Sequence, residues 1–195
     1  MPRWVRRLDR SANRRVNARH RVHALDTAYR RLSRAADRGR LWFVLAGVLI
    51  VSGRSRAALR GVASLTAASI LANLVGKKIF GGSRPILKDI PVGRRLAAYP
   101  TSASFPSGHS ASAAAFATGV ALEAPAVGVA LAPVAAAVGY SRLHVGAHWL
   151  SDVVGGFAIG AGVAVLGRVL LPARPSAEGP APERGERIDL PSSLR

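Results

Sequence analysis

What most constrains the fold is the separation of apolar from basic residues along the chain. Thirteen arginines crowd residues 1–40, whereas 119–139 contain no basic residue and 149–171 form a long apolar run. Apolar residues make up 49% of the chain although its net charge is +18, so the two populations have to occupy different places. A helix rises about 1.5 Å per residue, and about 20 apolar residues cross the hydrocarbon layer of a bilayer. A basic arm beside runs of this kind is the pattern of a membrane protein.

Other classes fit less well. Arginine supplies the phosphate contacts that nucleic-acid binding needs, but that function leaves the apolar runs unexplained, so no nucleic-acid partner is expected. Cysteine is absent, which removes disulfides, thiolate chemistry and cysteine-ligated zinc. The first apolar run, 41–53, follows the basic arm and ends at Arg54 without a small-residue cleavage pattern, so the N-terminus is expected to be retained.

The expected fold is all-α, a polytopic transmembrane helical bundle of about five apolar segments with an N-terminal interfacial helix beside it. In the arm, 1–40, Val22, Leu25, Tyr29 and Leu32 recur at helical spacing, as in a helix lying on an anionic membrane surface; a solvated basic face is the alternative. Residues 41–172 form the membrane domain. Within it, 41–53 is short, a thin span or a re-entrant helix, and 57–76 is a span whose Arg60 snorkels to the headgroups. Residues 77–106 are a polar loop punctuated by Gly81, Gly82, Pro85, Pro91, Pro100 and Pro106, and a loop of that size is usually functional. The runs 107–122 and 126–140 form a helical hairpin about Glu123-Ala124-Pro125. The last span, 149–171, carries Gly156 and Gly160 at the spacing that lets membrane helices approach closely, with Trp149 as an interfacial anchor. After Pro172 the chain is rich in Pro, Glu, Ser and Arg, and 173–195 is expected to be a disordered tail.

Polar residues gather where apolar runs meet loops, in three groups: Lys77 with Arg84-Pro85, then Pro106-Ser107-Gly108-His109, then Ser141-Arg142 with His148 and Asp152. Lys77 and Arg84 alone are ordinary interfacial anchors. Ser107, Gly108 and His109 open a helix, where backbone N–H groups and the helix dipole favour an anion; a capping or packing role for His109 is the alternative. His148 and Asp152 are four residues apart, so the carboxylate can orient the imidazole, a common way to prepare a nucleophile or base. His144, His148 and Asp152 also recur at metal-ligand intervals, but Gly146 interrupts the turn and the neighbouring cations would repel a divalent ion.

These three groups, in this order and spacing, resemble the signature of the type 2 phosphatidic acid phosphatase superfamily over about residues 77–156. The resemblance implies a membrane-embedded phosphatase acting on a phosphomonoester or diphosphate of a polyprenyl or glycerolipid, through a phosphohistidine and without metal or cofactor. It implies that His148 attacks phosphorus, Asp152 orients His148, and His109 protonates the leaving oxygen. Lys77, Arg84, Arg142, Ser107 and the Gly108 N–H would hold the phosphoryl oxygens, since phosphoryl transfer is catalysed mainly by positioning and by offsetting charge on those oxygens. The arginine-rich, Ala-rich sequence resembles small bacterial members, which implies a multi-pass protein of the bacterial plasma membrane. Two rivals share the motifs. A vanadate-dependent haloperoxidase has a similar pocket, but its known members are soluble and much larger; a non-catalytic membrane protein could keep the motifs to bind lipid phosphate.

Two topologies are open. If 41–53 does not cross, the arm lies inside with Arg54, Arg56 and Arg60 and the active-site loop faces outward; if it crosses, the arm and that loop share one side. Charge counting favours the first.

Overall fold

The computed structural model describes residues 1–18 and 23–170. The expected tail at 173–195, and Val22 in the arm, lie outside them. Every regular element among the described residues is helical: α1 (Arg3–Asn17), α2 (His23–Ala35), α3 (Arg40–Val51), α4 (Ser55–Ile70), α5 (Lys77–Phe80), α6 (Gly108–Ala121), α7 (Pro125–His144) and α8 (Leu150–Leu170). A π-helical stretch, Leu71–Gly76, continues α4 into α5.

The chain is a polytopic helical membrane protein, and three of its helical stretches are long and apolar enough to cross a bilayer: Ser55–Gly76, Pro125–His144 and Leu150–Leu170. The five apolar runs all form helices, but α3 with 12 residues and α6 with 14 are shorter. At 1.5 Å per residue α6 is only about 21 Å long, against about 30 Å of hydrocarbon. It is surrounded instead by protein. Its small residues, Ala111, Ala113, Ala115 and Gly119 among them, are buried against α4, α7 and α8. At Gly160 of α8 a Cβ would strike the backbone carbonyl of Ala111, so the small-residue spacing serves packing of α8 on α6 within one chain.

Large apolar side chains face outward on α3 and α8, where Val44, Val48 and Val51, and Val165, Leu166 and Val169, are exposed. That is the polarity lipid requires. Inside, Trp42 of α3 packs on Phe116 of α6 with ring centroids 5.3 Å apart.

At one end of the bundle Glu123, in the α6–α7 turn, pairs with Arg60 of α4 and with Arg168 of α8 at 2.8 Å. Arg60 is therefore part of an ion-pair cluster and does not simply reach for headgroups. At the other end lie the polar loop, the starts of α6 and α8, and α1 and α2 of the arm.

The arm is two helices, and along α2 Leu25 is exposed whereas Tyr29 and Leu32 meet protein. Leu32 packs on the core, and Tyr29 stacks on Tyr140 and on His144, each at 4.9 Å between ring centroids. Tyr29 thus answers to α7, because a periodic face specifies burial without specifying the partner. Buried Arg94, from the loop, donates to Asp26 of α2 at 2.9 Å and to the Val16 carbonyl at 2.9 Å, fastening loop to arm. Arg3, Arg6, Arg7, Arg10, Arg14 and Arg15 of α1 remain exposed.

The chain leaves the arm through the turn Asp37–Gly39, beside the start of α6, and α3 then runs towards the Glu123 end. The arm and the polar loop share one end, and Arg54, Arg56 and Arg60 lie towards the other. A shared end is the arrangement that the second topology describes. Glu123 offsets part of the positive charge at the far end.

Candidate active site

Where α4 ends, the polar loop folds back and α6 and α8 begin, a cavity of about 390 Å³ is lined by Arg84, Gly108, His109, Arg142 and His148, together with Arg38, Phe43, Leu65 and Asn73. The three motif groups, far apart in sequence, meet here.

His148 follows α7 in a turn made possible by Gly146, whose φ of 68° is left-handed and whose carbonyl accepts from the Tyr99 hydroxyl. The imidazole is buried. Its Nδ1 lies 3.3 Å from Asp152 Oδ2, and its Nε2 lies 3.4 Å from Arg84 Nη1. A guanidinium has donors only, so Nε2 presents a lone pair and the proton sits on Nδ1, facing Asp152. Burial pushes the His148 pKa down to about 4; Asp152 opposes that shift, and the charges of Arg142 and Arg84 reinforce it. His148 is a neutral imidazole at pH 7.

Asp152 is held in turn. Its Oδ2 accepts from the Trp149 backbone N–H at 2.8 Å and from the Ser104 hydroxyl. The first contact is a side chain in the first turn reaching back to the residue before α8, which caps the helix and fixes the carboxylate together. The Asp152 carbonyl accepts from Ser107 N–H at 3.0 Å and so ties the second motif to the third.

Arg84 is clamped by loop carbonyls, donating to Ser102 O at 3.0 Å, to Ala103 O at 3.3 Å and to Ala147 O. Arg142 is buried in the last turn of α7 and donates to the Ser33 hydroxyl of α2, while its Nε is buried without a partner. An unpartnered guanidinium N–H is costly unless an acceptor arrives.

The remaining sites divide. Gly108 and His109 line the cavity, and a Cβ on Gly108 would lie 2.8 Å from the Asn73 amide, so glycine gives the first turn of α6 its close approach to the π-helical stretch after α4. Ser107 does not line it. Fully buried, it caps α6, its hydroxyl accepting from the Ser110 backbone N–H at 3.4 Å. Lys77 opens α5, and its side chain lies outside the described part of the structure. His144 turns away, with Nε2 2.9 Å from Asp26 in the interface between α7 and the arm. It therefore does not join His148 and Asp152, and among the described residues no group of three acidic or histidine side chains is placed to hold a metal.

The arm supplies partners that spacing does not reveal. Its three acidic residues each reach another part of the molecule: Asp9 accepts from Ser151 at 2.8 Å, Asp26 meets Arg94 and His144, and Asp37 Oδ1 lies 2.8 Å from His109 Nε2. Their one sequence signal is their isolation, three carboxylates among thirteen arginines.

Residues 57–175 match the family model of the PAP2 superfamily, which spans more than half of the chain and all three motif groups. The chain belongs to the PAP2 superfamily. Two solved PAP2-type folds are similar to it. One, the first transmembrane PAP2 type phosphatidylglycerolphosphate phosphatase from Bacillus subtilis, aligns with a TM-score of 0.66 at 20% identity over 87% of each chain. The other, LpxE from Aquifex aeolicus, aligns with a TM-score of 0.62 at 26% identity over 82% of this PAP2 chain and 93% of its own. A search of curated proteins gave no match.

Proposed function

We propose that this PAP2 protein is a membrane lipid phosphate phosphatase that hydrolyses a phosphomonoester or diphosphate through a phosphohistidine at His148, with neither metal nor cofactor. The observation that carries the reading is the orientation of His148, whose Nε2 lone pair faces the cavity's guanidinium groups while Asp152 holds Nδ1.

Nε2 attacks phosphorus as the bond to the leaving oxygen breaks, and Asp152 takes up the charge that develops on the ring. Arg84, Arg142 with its unpartnered Nε, and the first turn of α6 at Gly108 offset charge on the equatorial oxygens. His109 gives a proton to the leaving oxygen and then takes one from the water that hydrolyses the phosphohistidine. Ser107 contributes by fixing the start of α6, and Lys77 stands as a further phosphate ligand on the motif alone.

The substrate is an amphiphile. The cavity's lining combines Arg84, His109 and His148 with the apolar Phe43 and Leu65 of α3 and α4, which suits a phosphate headgroup joined to an apolar chain. Polyprenyl and glycerolipid phosphates are the leading classes. A multi-pass place in a bacterial plasma membrane follows. The arginine-rich arm lies at the active-site end, so the positive-inside rule puts the site on the cytoplasmic face.

Phosphate release by detergent-purified protein from a panel of polyprenyl and glycerolipid phosphates, with EDTA present and beside His148→Ala, tests this reading. Release that survives EDTA and disappears in the variant is expected. Binding without release would indicate a lipid-phosphate-binding protein, and bromide oxidation with added vanadate a haloperoxidase.

A further inference from the structure

A general acid must hold its proton in the right place, and the carboxylate that touches His109 comes from outside the three motifs. Asp37 begins the turn between α2 and α3, where Arg38 (φ 56°) and Gly39 (φ 77°) are both left-handed and reverse the chain. A non-glycine residue rarely adopts that conformation, and where one does the surrounding structure has to hold it. Here the reversal leaves Asp37 over the first turn of α6, with Oδ1 2.8 Å from His109 Nε2. The contact keeps Asp37 ionised. Its pKa is lowered first by the hydrogen bond from His109 and then by the nearby charges of His109, Arg142 and Arg40, against partial burial.

We infer that Asp37 is the positioning residue for His109, engaging Nε2 so that the Nδ1 proton is the one delivered to the leaving oxygen, and that the N-terminal arm thereby completes the active site. The inference rests on the phosphatase reading above. As the His148 Nε2–phosphorus bond forms and the phosphorus–oxygen bond breaks, the proton passes from His109 Nδ1 to the departing oxygen, giving a neutral alcohol. Asp37 keeps its negative charge throughout and its hydrogen bond to Nε2–H. Water then attacks phosphohistidine, its proton returns to Nδ1, and inorganic phosphate leaves.

Leaving-group dependence tests this. p-Nitrophenoxide departs without a proton and an alkoxide does not, so a residue that serves the general acid affects alkyl phosphates selectively. Asp37→Asn is expected to lower kcat/KM, which reports the steps up to departure of the leaving group and not the hydrolysis of phosphohistidine that both substrates share, by about 10- to 100-fold for a short-chain lipid phosphate and far less for p-nitrophenyl phosphate. His109→Ala should show the same selectivity more strongly, and Asp37→Glu should recover part of the loss. The ratio of the two rates within one preparation does not change with the fraction of folded protein, so misfolding cannot imitate the result. Equal loss of kcat/KM on both substrates, or a gain of activity from removing Asp37, overturns the inference and leaves the phosphatase reading intact. A wild-type protein that turns over neither substrate overturns both.

Discussion

Burial, with Arg142 and Arg84 nearby, holds the His148 pKa near 4 against the opposing pull of Asp152, so His148 stays unprotonated, and able to attack, far into the acid range. The sign follows directly: protonation removes the nucleophile, so the acid limb of kcat/KM, corrected for ionisation of the substrate, belongs near pH 4 and not near the ordinary 6.5. A limb near 6.5 in the pH–rate profile would show that His148 is more solvated than its surroundings indicate. Arg84, clamped by three loop carbonyls, is already in place before an anion arrives. Arg84→Ala should therefore cost about 10²- to 10³-fold in kcat, read from steady-state phosphate release. At this scale the sequence was most legible where chemistry is local. His148 and Asp152 stand four residues apart and their contact follows from that spacing, whereas Asp37 and His109, or Ser33 and Arg142, meet across long stretches of chain that no local pattern connects.

Among the elements, α6 and α8 have the closest approach. A side chain at Gly160 meets backbone at Ala111 and has nothing flexible to displace, while Gly162 of the same helix has open space around it. Gly160→Leu should lower stability by about 1–3 kcal/mol or more, and Gly162→Leu should be tolerated, as thermal unfolding in detergent would report. Helix positions were largely visible as apolar runs. Which runs cross was not, because α6 is apolar for a different reason from α8: protein surrounds it, whereas α8 shows Val165, Leu166 and Val169 to lipid. A similar ambiguity hid the packing of α2, whose Tyr29 and Leu32 satisfy the same periodicity on protein as they would on a membrane.

For the whole molecule, the arm and the site occupy one end and Arg54 and Arg56 the other, an arrangement that charge counting alone could not choose. Because the chain has no cysteine, single substitutions report sidedness cleanly. In intact bacterial cells a membrane-impermeant maleimide should label Ser52→Cys and leave Arg7→Cys unlabelled until the membrane is opened. The reverse pattern would put the site outside and direct it to lipids of the outer leaflet.

The central claim is that phosphorus passes through His148. Rapid quenching after mixing with a phosphorus-32-labelled lipid phosphate in EDTA, followed by peptide mass spectrometry, tests it most directly. The account predicts a phosphoryl group on His148 that is stable to base, labile to acid and absent from His148→Ala. Turnover with the label on another residue, or turnover that persists in His148→Ala, would contradict it.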